Sequence, residues 1–400
     1  MIAKILPLKK EKVEIPSIKR QLCDPKASPC ALNLASYLVG LVENGKILYG
    51  HQNDLHCKAG PTDPSFTSSD TRDACGECAG VMGLDALSLT GTELGAPNWP
   101  RKKRLEAALD LSCKAAKQGS IITLSAHMPN FALLAGTGDY SGYSPNELRG
   151  HIVQDIMPDR PLNSLFTDYL DLVSDYLAAL GKRGIPVIWR PFHENTGGWF
   201  WWGCNTCSAK EFKNLWRYTW KYMTEKKQLH NLIWAYSPGN EPSSIEEFEE
   251  RYPGDAYVDV IGLDMYQNYS LNPHSFWQDY ERQLDLSNRV SLLHKKLFAA
   301  TETGIMRPDN KALLESGNER GWYKKVLDLC VQYNAAYFLL WANFSRQGAF
   351  YTPYVLKRTC DENGWPFSLE GHELLDDFIA FHNEESVVFS SQNPSFITEE

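Results

Sequence analysis

Residues 163–194 decide the fold, and they read NSLFTDYLDLVSDYLAALGKRGIPVIWRPFHE. Over residues 165–180 the apolar side chains recur at steps of three and four, which is the period of an amphipathic helix. Gly181 and Gly184 close that segment, and Ile185–Phe192 is a short apolar run typical of a strand covered on both faces. The stretch therefore predicts a helix followed directly by a buried strand of a parallel sheet.

The same kind of apolar run recurs along the chain. Its near-continuous hydrophobic character indicates strands that are covered on both sides. Eight strands are predicted in this way: Lys46–Gly50, Val81–Leu89, Ser120–Ala126, Ile185–Phe192, Leu232–Ser237, Val258–Tyr266, Lys296–Thr301 and Ala335–Trp341.

Helical patterns alternate with these strands. Ser208-Ala-Lys-Glu211 reads as a capping box that opens one of them. The other amphipathic segments are Arg101–Lys117, Ser275–His294, Gly321–Tyr333 and Glu373–His382. Eight strands alternating with helices predict an α/β fold, a single-domain (β/α)₈ TIM barrel, whose site lies at the carboxyl ends of the strands. A doubly wound open sheet is the competing architecture, but its usual glycine-rich phosphate loop is missing.

The two ends of the sequence are expected to lie outside the barrel. Residues 1–29 have little periodicity and are predicted to wrap around it, and residues 30–385 are predicted to form the barrel itself. The polar residues 386–400 are predicted to be a frayed C-terminal tail.

The composition excludes several classes of protein. Of the 400 residues, 43% are hydrophobic and 22% are charged, which is ordinary for a chain that buries a large core. A net charge of −9 argues against nucleic acid and other polyanionic partners. No run of about 18 apolar residues is present, so no membrane span is expected.

The ten cysteines indicate an oxidising compartment, because their number is even and several are close in sequence. We expect a secreted, monomeric protein whose signal peptide is missing from this sequence; a cytoplasmic protein is the alternative. Cys204 and Cys207 are the predicted local disulfide, whereas Cys113 and Cys330 lie in predicted helices as free thiols. A zinc site shared between the Cys75-Cys78 and Cys204-Cys207 pairs is disfavoured by their separation in sequence.

Glu194 is the leading candidate for a proton donor. It ends a predicted strand and is followed by the aromatic cluster Trp199-Phe-Trp-Trp-Gly203. A carboxylic acid among indole rings is poorly solvated, so its pKa should rise toward neutrality. Core filling is the alternative explanation of the rings, but the interspersed glycines and polar residues argue against it.

Glu302 is the natural partner of Glu194, because it follows another apolar strand and precedes Gly304. Two carboxylates at neighbouring strand ends are what glycoside cleavage requires. One protonates the leaving oxygen and the other attacks the sugar or activates water. A strand-end glutamate alone is more often a capping or ion-pair residue, but the pair favours catalysis.

Further candidates for the site fall at other strand ends. They could equally be packed core residues when taken singly, but their shared position favours a sugar site. These candidates are His127, His193, Tyr266, Trp341, Asp264 as a charge partner of Arg190 or His193, and His51-Gln52 as part of the pocket floor.

On these residues the chain resembles glycoside hydrolase family 26, whose best known members are endo-β-1,4-mannanases. The resemblance covers about residues 46–345. It rests on Gly50-His-Gln, Ser125-Ala-His127, Ile185-Pro-Val-Ile-Trp-Arg-Pro-Phe-His-Glu194, Trp199-Phe-Trp-Trp-Gly203, Tyr252-Pro-Gly-Asp-Ala-Tyr-Val-Asp-Val-Ile-Gly-Leu-Asp-Met-Tyr266 and Thr301-Glu302-Thr-Gly304.

The resemblance implies a TIM barrel with Glu194 as acid/base on the fourth strand and Glu302 as nucleophile on the seventh. It also implies that His127, His193, Trp199, Tyr266 and Trp341 contact the sugar beside the scissile bond. Some mannanases of this family have Arg after the strand-eight Trp, whereas this sequence has Ala342.

The predicted function is a retaining β-mannanase that acts on mannan, glucomannan or galactomannan without a cofactor or metal. Its two carboxylates should lie about 5 to 5.5 Å apart. Loops at residues 59–80 and 136–162 could narrow the cleft, so a mannobiose-releasing exo-acting enzyme is one alternative. Others are a same-family enzyme acting on mixed-linkage glucan or β-1,3-xylan, and a non-catalytic polysaccharide-binding protein.

Overall fold

The computed structural model describes residues 22–61, 65–96, 98–140, 142–268, 273–306, 320–345, 352–364 and 366–395. Within these ranges, eight parallel strands pair in chain order, and the eighth pairs with the first to close a barrel. Helices run between the strands, which confirms the predicted (β/α)₈ TIM barrel. The barrel strands are β1 (Ile47–Gln52), β2 (Val81–Asp85), β3 (Ile121–Ser125), β4 (Val187–Arg190), β5 (Leu232–Tyr236), β6 (Val260–Asn268), β7 (Leu297–Met306) and β8 (Ala335–Leu340).

The helices lie outside the strands, apart from the first, which covers one end of the barrel. A short π-helical turn at Lys221–Lys226 extends the eighth helix. The helices are α1 (Pro29–Glu43), α2 (Asp70–Cys75), α3 (Leu87–Thr90), α4 (Arg101–Lys117), α5 (Phe131–Thr137), α6 (Ile152–Asp155), α7 (Asn163–Gly181), α8 (Ala209–Trp220), α9 (Ile245–Arg251), α10 (Pro273–His294), α11 (Trp322–Gln332) and α12 (Leu375–His382). None of these described helices has the length and apolar character that crossing a membrane requires.

Helix α1 closes the amino-terminal end of the barrel. Its buried face, which includes Leu34 and Leu38, packs in one cluster with residues at or near the starts of strands, such as Ile121 and Leu297. Ser28 caps the helix by accepting from the Ala31 N–H. The opposite, carboxyl-terminal end of the barrel is thereby left as the open face.

Residues before α1 also pack against the barrel. The Cys23 N–H donates to Asp259 at 2.5 Å, and Asp24 pairs with His230 at 2.7 Å. Most of the segment predicted to wrap the barrel, residues 1–21, lies outside the described residues.

The prediction of a frayed tail is wrong for residues 386–395. Val387–Val388 forms a short strand, β11, that pairs in parallel with β1, and Phe389 is buried beside it. Asn393 then donates to the carbonyls of Gly80 and Gly119. The apolar residues 387–389 are flanked by polar residues, so the sequence pattern did not indicate the strand that they add next to β1.

Several strand boundaries differ from the prediction: β2 and β4 end earlier than predicted, and β7 continues to Met306 instead of ending at Thr301. β2 ends at Asp85, whose carboxylate accepts from the Leu87 N–H, and α3 follows where strand was predicted to Leu89. β4 ends at Arg190, before Pro191. An antiparallel hairpin, β9 (Val355–Cys360) and β10 (Pro366–Gly371), follows β8 and was not predicted.

All ten cysteines lie in described residues, and each is a free thiol. The predicted disulfide between Cys204 and Cys207 is therefore wrong. The Cys207 sulfur instead lies 3.3 Å from an Arg251 guanidinium nitrogen. The zinc alternative is also wrong within the described chain, because no cysteine belongs to a cluster of three potential metal ligands there. Cys113 and Cys330 are free, as predicted.

Candidate active site

Glu194 lies in the loop that follows β4. Its backbone is left-handed, with φ at 51°, and its N–H donates to the Ser237 carbonyl at 2.8 Å. The side chain accepts a 2.6 Å hydrogen bond from the Trp199 indole Nε1. Burial and the nearby Glu302 carboxylate raise the pKa of Glu194 to about 7, although the Trp199 hydrogen bond acts in the opposite direction. A carboxyl group with this pKa can donate a proton near neutrality.

Glu302 lies within β7, and a donor holds each of its carboxylate oxygens. The Tyr266 hydroxyl donates to Oε2 at 2.5 Å, and the Arg190 guanidinium donates to Oε1. An irregularity in the pairing of β6 with β7 after Gly262 sets Asp264 opposite Glu302. The two donors fix the orientation of the Glu302 carboxylate, as an attacking nucleophile requires.

Arg190, the last residue of β4, links two carboxylates of the site. Its Nη1 donates to Asp264 Oδ2 at 2.9 Å and to Ser237 Oγ at 3.2 Å, while Nη2 donates to Glu302. The other Asp264 oxygen accepts from Thr301 Oγ1 at 2.6 Å. Because protein groups engage both oxygens of Asp264, its position matches that of a charge partner of Arg190.

The carboxylates of Glu194, Asp264 and Glu302 are the one group of three potential metal ligands in the described part of the chain. One oxygen of each lies within 4.8 Å of the others. The Arg190 guanidinium already supplies positive charge to Asp264 and Glu302. This set of groups therefore fits a pair of reacting carboxylates better than a cation site.

The spacing of Glu194 and Glu302 bears on the stereochemistry of the reaction that they could catalyse. Retaining glycosidases have carboxyl groups about 5–5.5 Å apart, whereas inverting enzymes need about 6.5–9.5 Å to place a water between them. One carboxylate oxygen of Glu194 lies within 4.8 Å of one carboxylate oxygen of Glu302, which favours the shorter of these two spacings.

Two histidines and a tryptophan lie side by side next to the carboxylates. The His127 ring lies 4.5 Å from the His193 ring and 5.7 Å from the Trp341 ring, measured between centroids. Burial disfavours a charged His127, but its 2.8 Å contact with the Asp85 carboxylate, together with the Glu302 and Glu93 carboxylates, raises the pKa of His127 to about 9. Burial and the neighbouring His127 hold the pKa of His193 well below its usual value. At neutral pH this site therefore pairs a cationic His127 with a neutral His193.

The aromatic cluster after Glu194 divides into one site residue and a packed core. Trp199 is half-buried and contacts Glu194, whereas the next three rings are buried. The indoles of Trp201 and Trp202 donate to backbone carbonyls at 3.1 and 2.8 Å. A Cβ at Gly203 would come within 2.3 Å of the Gly197 carbonyl, so glycine is needed where the loop folds on itself. Core filling thus accounts for three of the four rings.

The sequence profile of glycosyl hydrolase family 26 matches residues 23–349. The chain belongs to glycosyl hydrolase family 26. Curated relatives include a mannan endo-1,4-β-mannosidase of Bifidobacterium adolescentis, 29% identical over 87% of this chain and 33% of the relative. Another, from Bacillus subtilis, is 30% identical over 58% of this chain and 59% of the relative. The chain thus spans only a third to about three fifths of these two relatives.

Solved structures of family 26 enzymes share the architecture of the chain. The catalytic domain of a Bacillus sp. JAMB-750 endo-β-1,4-mannanase has a TM-score of 0.81 and 30% identity, with 94% of this chain and 95% of that chain covered. A β-mannanase from Bacteroides ovatus has a TM-score of 0.72 and 28% identity, with 93% and 98% covered.

Sequence reasoning missed a cavity in this family 26 barrel, beside His127 and Trp341. It has a volume of about 430 Å³, and Glu93 lies in its wall. Burial and the Asp85 carboxylate raise the pKa of Glu93 to about 7, and within the described residues no donor reaches its buried Oε2. The sequence did contain one indication of this cavity. Asp85 ends β2, so the loop that follows it, which contains Glu93, lies at the carboxyl end of the barrel.

Residues His51 and Gln52, predicted to line the pocket floor, are fully buried at the end of β1. His51 Nδ1 bonds with Asp54 at 2.7 Å. Neither residue lines the cavity beside Trp341.

Proposed function

We propose that this family 26 chain is a retaining endo-β-1,4-mannanase, with Glu194 as acid/base and Glu302 as nucleophile. The observation that carries the proposal is the close pair of carboxylates, one with a pKa of about 7 and the other held by two donors. A protonated acid beside a fixed carboxylate is the arrangement that double displacement needs.

In the first step Glu302 attacks the anomeric carbon while Glu194 gives its proton to the glycosidic oxygen. The bond between that carbon and oxygen breaks, and the sugar stays attached to Glu302 as a covalent ester. The Tyr266 and Arg190 donors hold the Glu302 carboxylate in place and stabilise its oxygens as their negative charge changes during the reaction.

In the second step Glu194, now a carboxylate, takes a proton from a water molecule that attacks the same carbon. The ester bond to Glu302 breaks and the sugar leaves with its original anomeric configuration. The pKa of about 7 suits both roles, because Glu194 has to give a proton and then take one at the same pH.

The sugar beside the scissile bond is bound by groups around this pair. His127 is positively charged at neutral pH and donates to a hydroxyl, while Trp341 stacks on the apolar face of the ring. His193 and Tyr266 supply further polar contacts, and Trp199 packs on the leaving-group side, where it contacts Glu194.

The names of the relatives support mannan as the substrate, because those from Bifidobacterium and Bacillus are both called mannan endo-1,4-β-mannosidases. The proposed substrates are mannan, glucomannan and galactomannan. We further propose a monomer that acts outside the cell, where such polymers are met. Disulfide bonds do not support an extracellular location, because the cysteines are free thiols. The size of the polymer substrate is the argument that supports it.

The proposal is tested with Glu302→Gln and Glu194→Gln on manno-oligosaccharides of defined length. Both variants should lose activity, Glu194→Gln by about 10²–10⁴-fold. An aryl mannoside with a good leaving group should restore the first step for Glu194→Gln alone. Glu246→Gln, on an exposed turn of α9, is the matched control and should keep full activity. A Glu302→Gln variant that cleaves mannan normally contradicts the proposal.

A panel of β-glycans separates the proposal from other specificities. The wild-type protein should release products from mannan faster than from mixed-linkage glucan or β-1,3-xylan. NMR of the first product should show the β anomer, as retention requires. Release of mannobiose alone from one chain end would identify an exo-acting enzyme, and binding of mannan without any product would identify a binding protein.

A further inference from the structure

The loop after β4 is joined to the loop after β5 at two residues of one tight turn. Residues 194–197 form this turn, and the Gly197 N–H closes it by donating to the Glu194 carbonyl at 3.1 Å. At the first residue of the turn, the Glu194 N–H donates to the Ser237 carbonyl at 2.8 Å. The left-handed backbone of Glu194 is therefore supported by contacts from the β5 side.

The second junction is the side chain of Thr196, the third residue of the turn. Thr196 is buried, and its hydroxyl makes two hydrogen bonds to the β5 loop. Oγ1 donates to Glu241 Oε2 at 2.6 Å and accepts from the Gly239 N–H at 2.9 Å. A threonine hydroxyl has one proton to donate, so its proton serves Glu241 and a lone pair serves Gly239. The hydroxyl thus bridges the two loops.

Glu241 completes this junction from the outer side of the β5 loop. Its residue is exposed, yet Oε2 lies against the backbone of Gly239, where an added Cβ would come within 2.4 Å of that oxygen. The 2.6 Å bond from Thr196 has the length typical of a hydroxyl that donates to a carboxylate, which is a stronger bond than one between neutral groups. No step of the proposed reaction uses Glu241, so its role is to hold Thr196.

The β5 loop is itself fixed relative to the nucleophile. The Asp264 N–H donates to the Pro238 carbonyl at 3.1 Å. The Arg190 guanidinium, which binds Glu302, also donates to Ser237 Oγ at 3.2 Å. A contact that joins the β4 turn to this loop therefore also sets the position of the acid/base relative to the nucleophile.

We propose that Thr196, with Glu241 as its anchor, is a positioning residue that holds the Glu194 carboxyl in line with the glycosidic oxygen. This inference rests on the proposed function. Both residues act through the backbone of the turn and not on the sugar itself. Without the hydroxyl, the turn keeps its contact with Ser237 alone, and its strained first residue relaxes and moves the acid. Misplacing a reacting group by about 1 Å costs up to about 100-fold in rate.

Substrates with different leaving groups test the proposal, because only a poor leaving group needs a proton from Glu194. In Thr196→Val, kcat/KM for mannotetraose should fall about tenfold, since the acid is misplaced. The value for a dinitrophenyl β-mannobioside should not change, because its leaving group departs without a proton. Thr196→Ser keeps the hydroxyl and should restore the mannotetraose value. General damage to the barrel would instead lower both values.

Glu241→Ala removes the anchor on the other loop and should give the same pattern on the two substrates. Because both residues act through one junction, the double variant should lose no more than Thr196→Val alone. The rates are measured well below the Glu194 pKa of about 7, where the acid is protonated in every variant. The loss of the Glu241 charge then leaves the protonation of Glu194 unchanged.

Thr167→Val is the matched control, because the Thr167 hydroxyl donates only within α7, to the carbonyls of Asn163 and Ser164 at 3.0 Å. It should leave both substrates unaffected. Equal losses on the two substrates or no loss on mannotetraose in Thr196→Val, or additive losses in the double variant, would overturn the proposal. A wild-type protein that cleaves neither substrate would instead reject the proposed function, so the two failures are distinguishable.

Discussion

Glu194 combines an unfavourable backbone with an unfavourable environment. A left-handed φ on a residue other than glycine costs about 1–2 kcal/mol, and burial disfavours the charged carboxylate. The hydrogen bond from its N–H to the Ser237 carbonyl holds this conformation. Such strain is typical of functional residues, because surrounding contacts must maintain it.

Replacing Trp199 by Phe should shift the pH dependence of activity. The Trp199 N–H stabilises the charged form of Glu194, so losing it should raise the pKa of Glu194 above its value of about 7. Activity requires the protonated acid in the first step and falls as the pH rises through this pKa. The alkaline limb of the kcat/KM profile should therefore move to higher pH in Trp199→Phe.

Trp220→Phe is the control for this measurement, because its indole N–H contacts Cys23, near the amino-terminal end of the barrel. Its pH profile should match that of the wild type. An alkaline limb that stays in place, or moves to lower pH, in Trp199→Phe would show that the hydrogen bond does not set the pKa of Glu194.

The two carboxylates could be predicted from the sequence, because each follows an apolar run and has distinctive neighbours. Glu194 precedes an aromatic cluster, and Glu302 precedes a glycine. No such pattern marks Glu93, which lies in a polar loop. The path of the chain after α3 brings it to the site, and the sequence does not reveal that path.

At the scale of elements, the capping box of α8 shows how closely a local motif can be predicted. Ser208 and Glu211 make both reciprocal hydrogen bonds at the start of this helix. The strand ends were harder to predict, because Asp85 and Pro191 lie inside otherwise apolar runs. Asp85 accepts from the Leu87 N–H, and β4 ends just before Pro191. β11 was missed since three apolar residues are too few to show a period.

Ser208→Ala should lower the free energy of unfolding by about 1 kcal/mol, because it leaves a helix N–H without its acceptor. Urea denaturation monitored by circular dichroism gives this value. Ser164→Ala, on the exposed first turn of α7, is the control and should be neutral, since no helix cap depends on its side chain. Equal stabilities of the two variants would mean that the capping box contributes nothing to folding.

At the scale of the whole molecule, the barrel separates stability from chemistry at its two ends. Helix α1 buries apolar side chains against the amino-terminal end, while the carboxylates lie at the other end. Alternating strands and helices made this arrangement predictable, whereas the sequence pattern gave no sign that a helix before β1 covers the barrel.

Leu34→Ala should therefore lower the free energy of unfolding by about 2–5 kcal/mol, because Leu34 is fully buried on the face of α1 that packs against the barrel. Activity per folded molecule should stay the same. Leu32→Ala on the same helix is the matched control, since Leu32 is 37% exposed and its loss should have little effect. Equal destabilisation by the two changes would show that α1 does not cover the barrel as described.

The closure of β1 on β8 has a consequence for synthesis on the ribosome. One edge of β1 pairs with β2 soon after both are made, but its other edge waits for Tyr337, Phe338 and their neighbours. Until they emerge, a nascent chain exposes an unpaired strand edge that other chains can join. Production at low temperature or with a chaperone should therefore raise the yield of native protein, by protecting that edge while translation finishes.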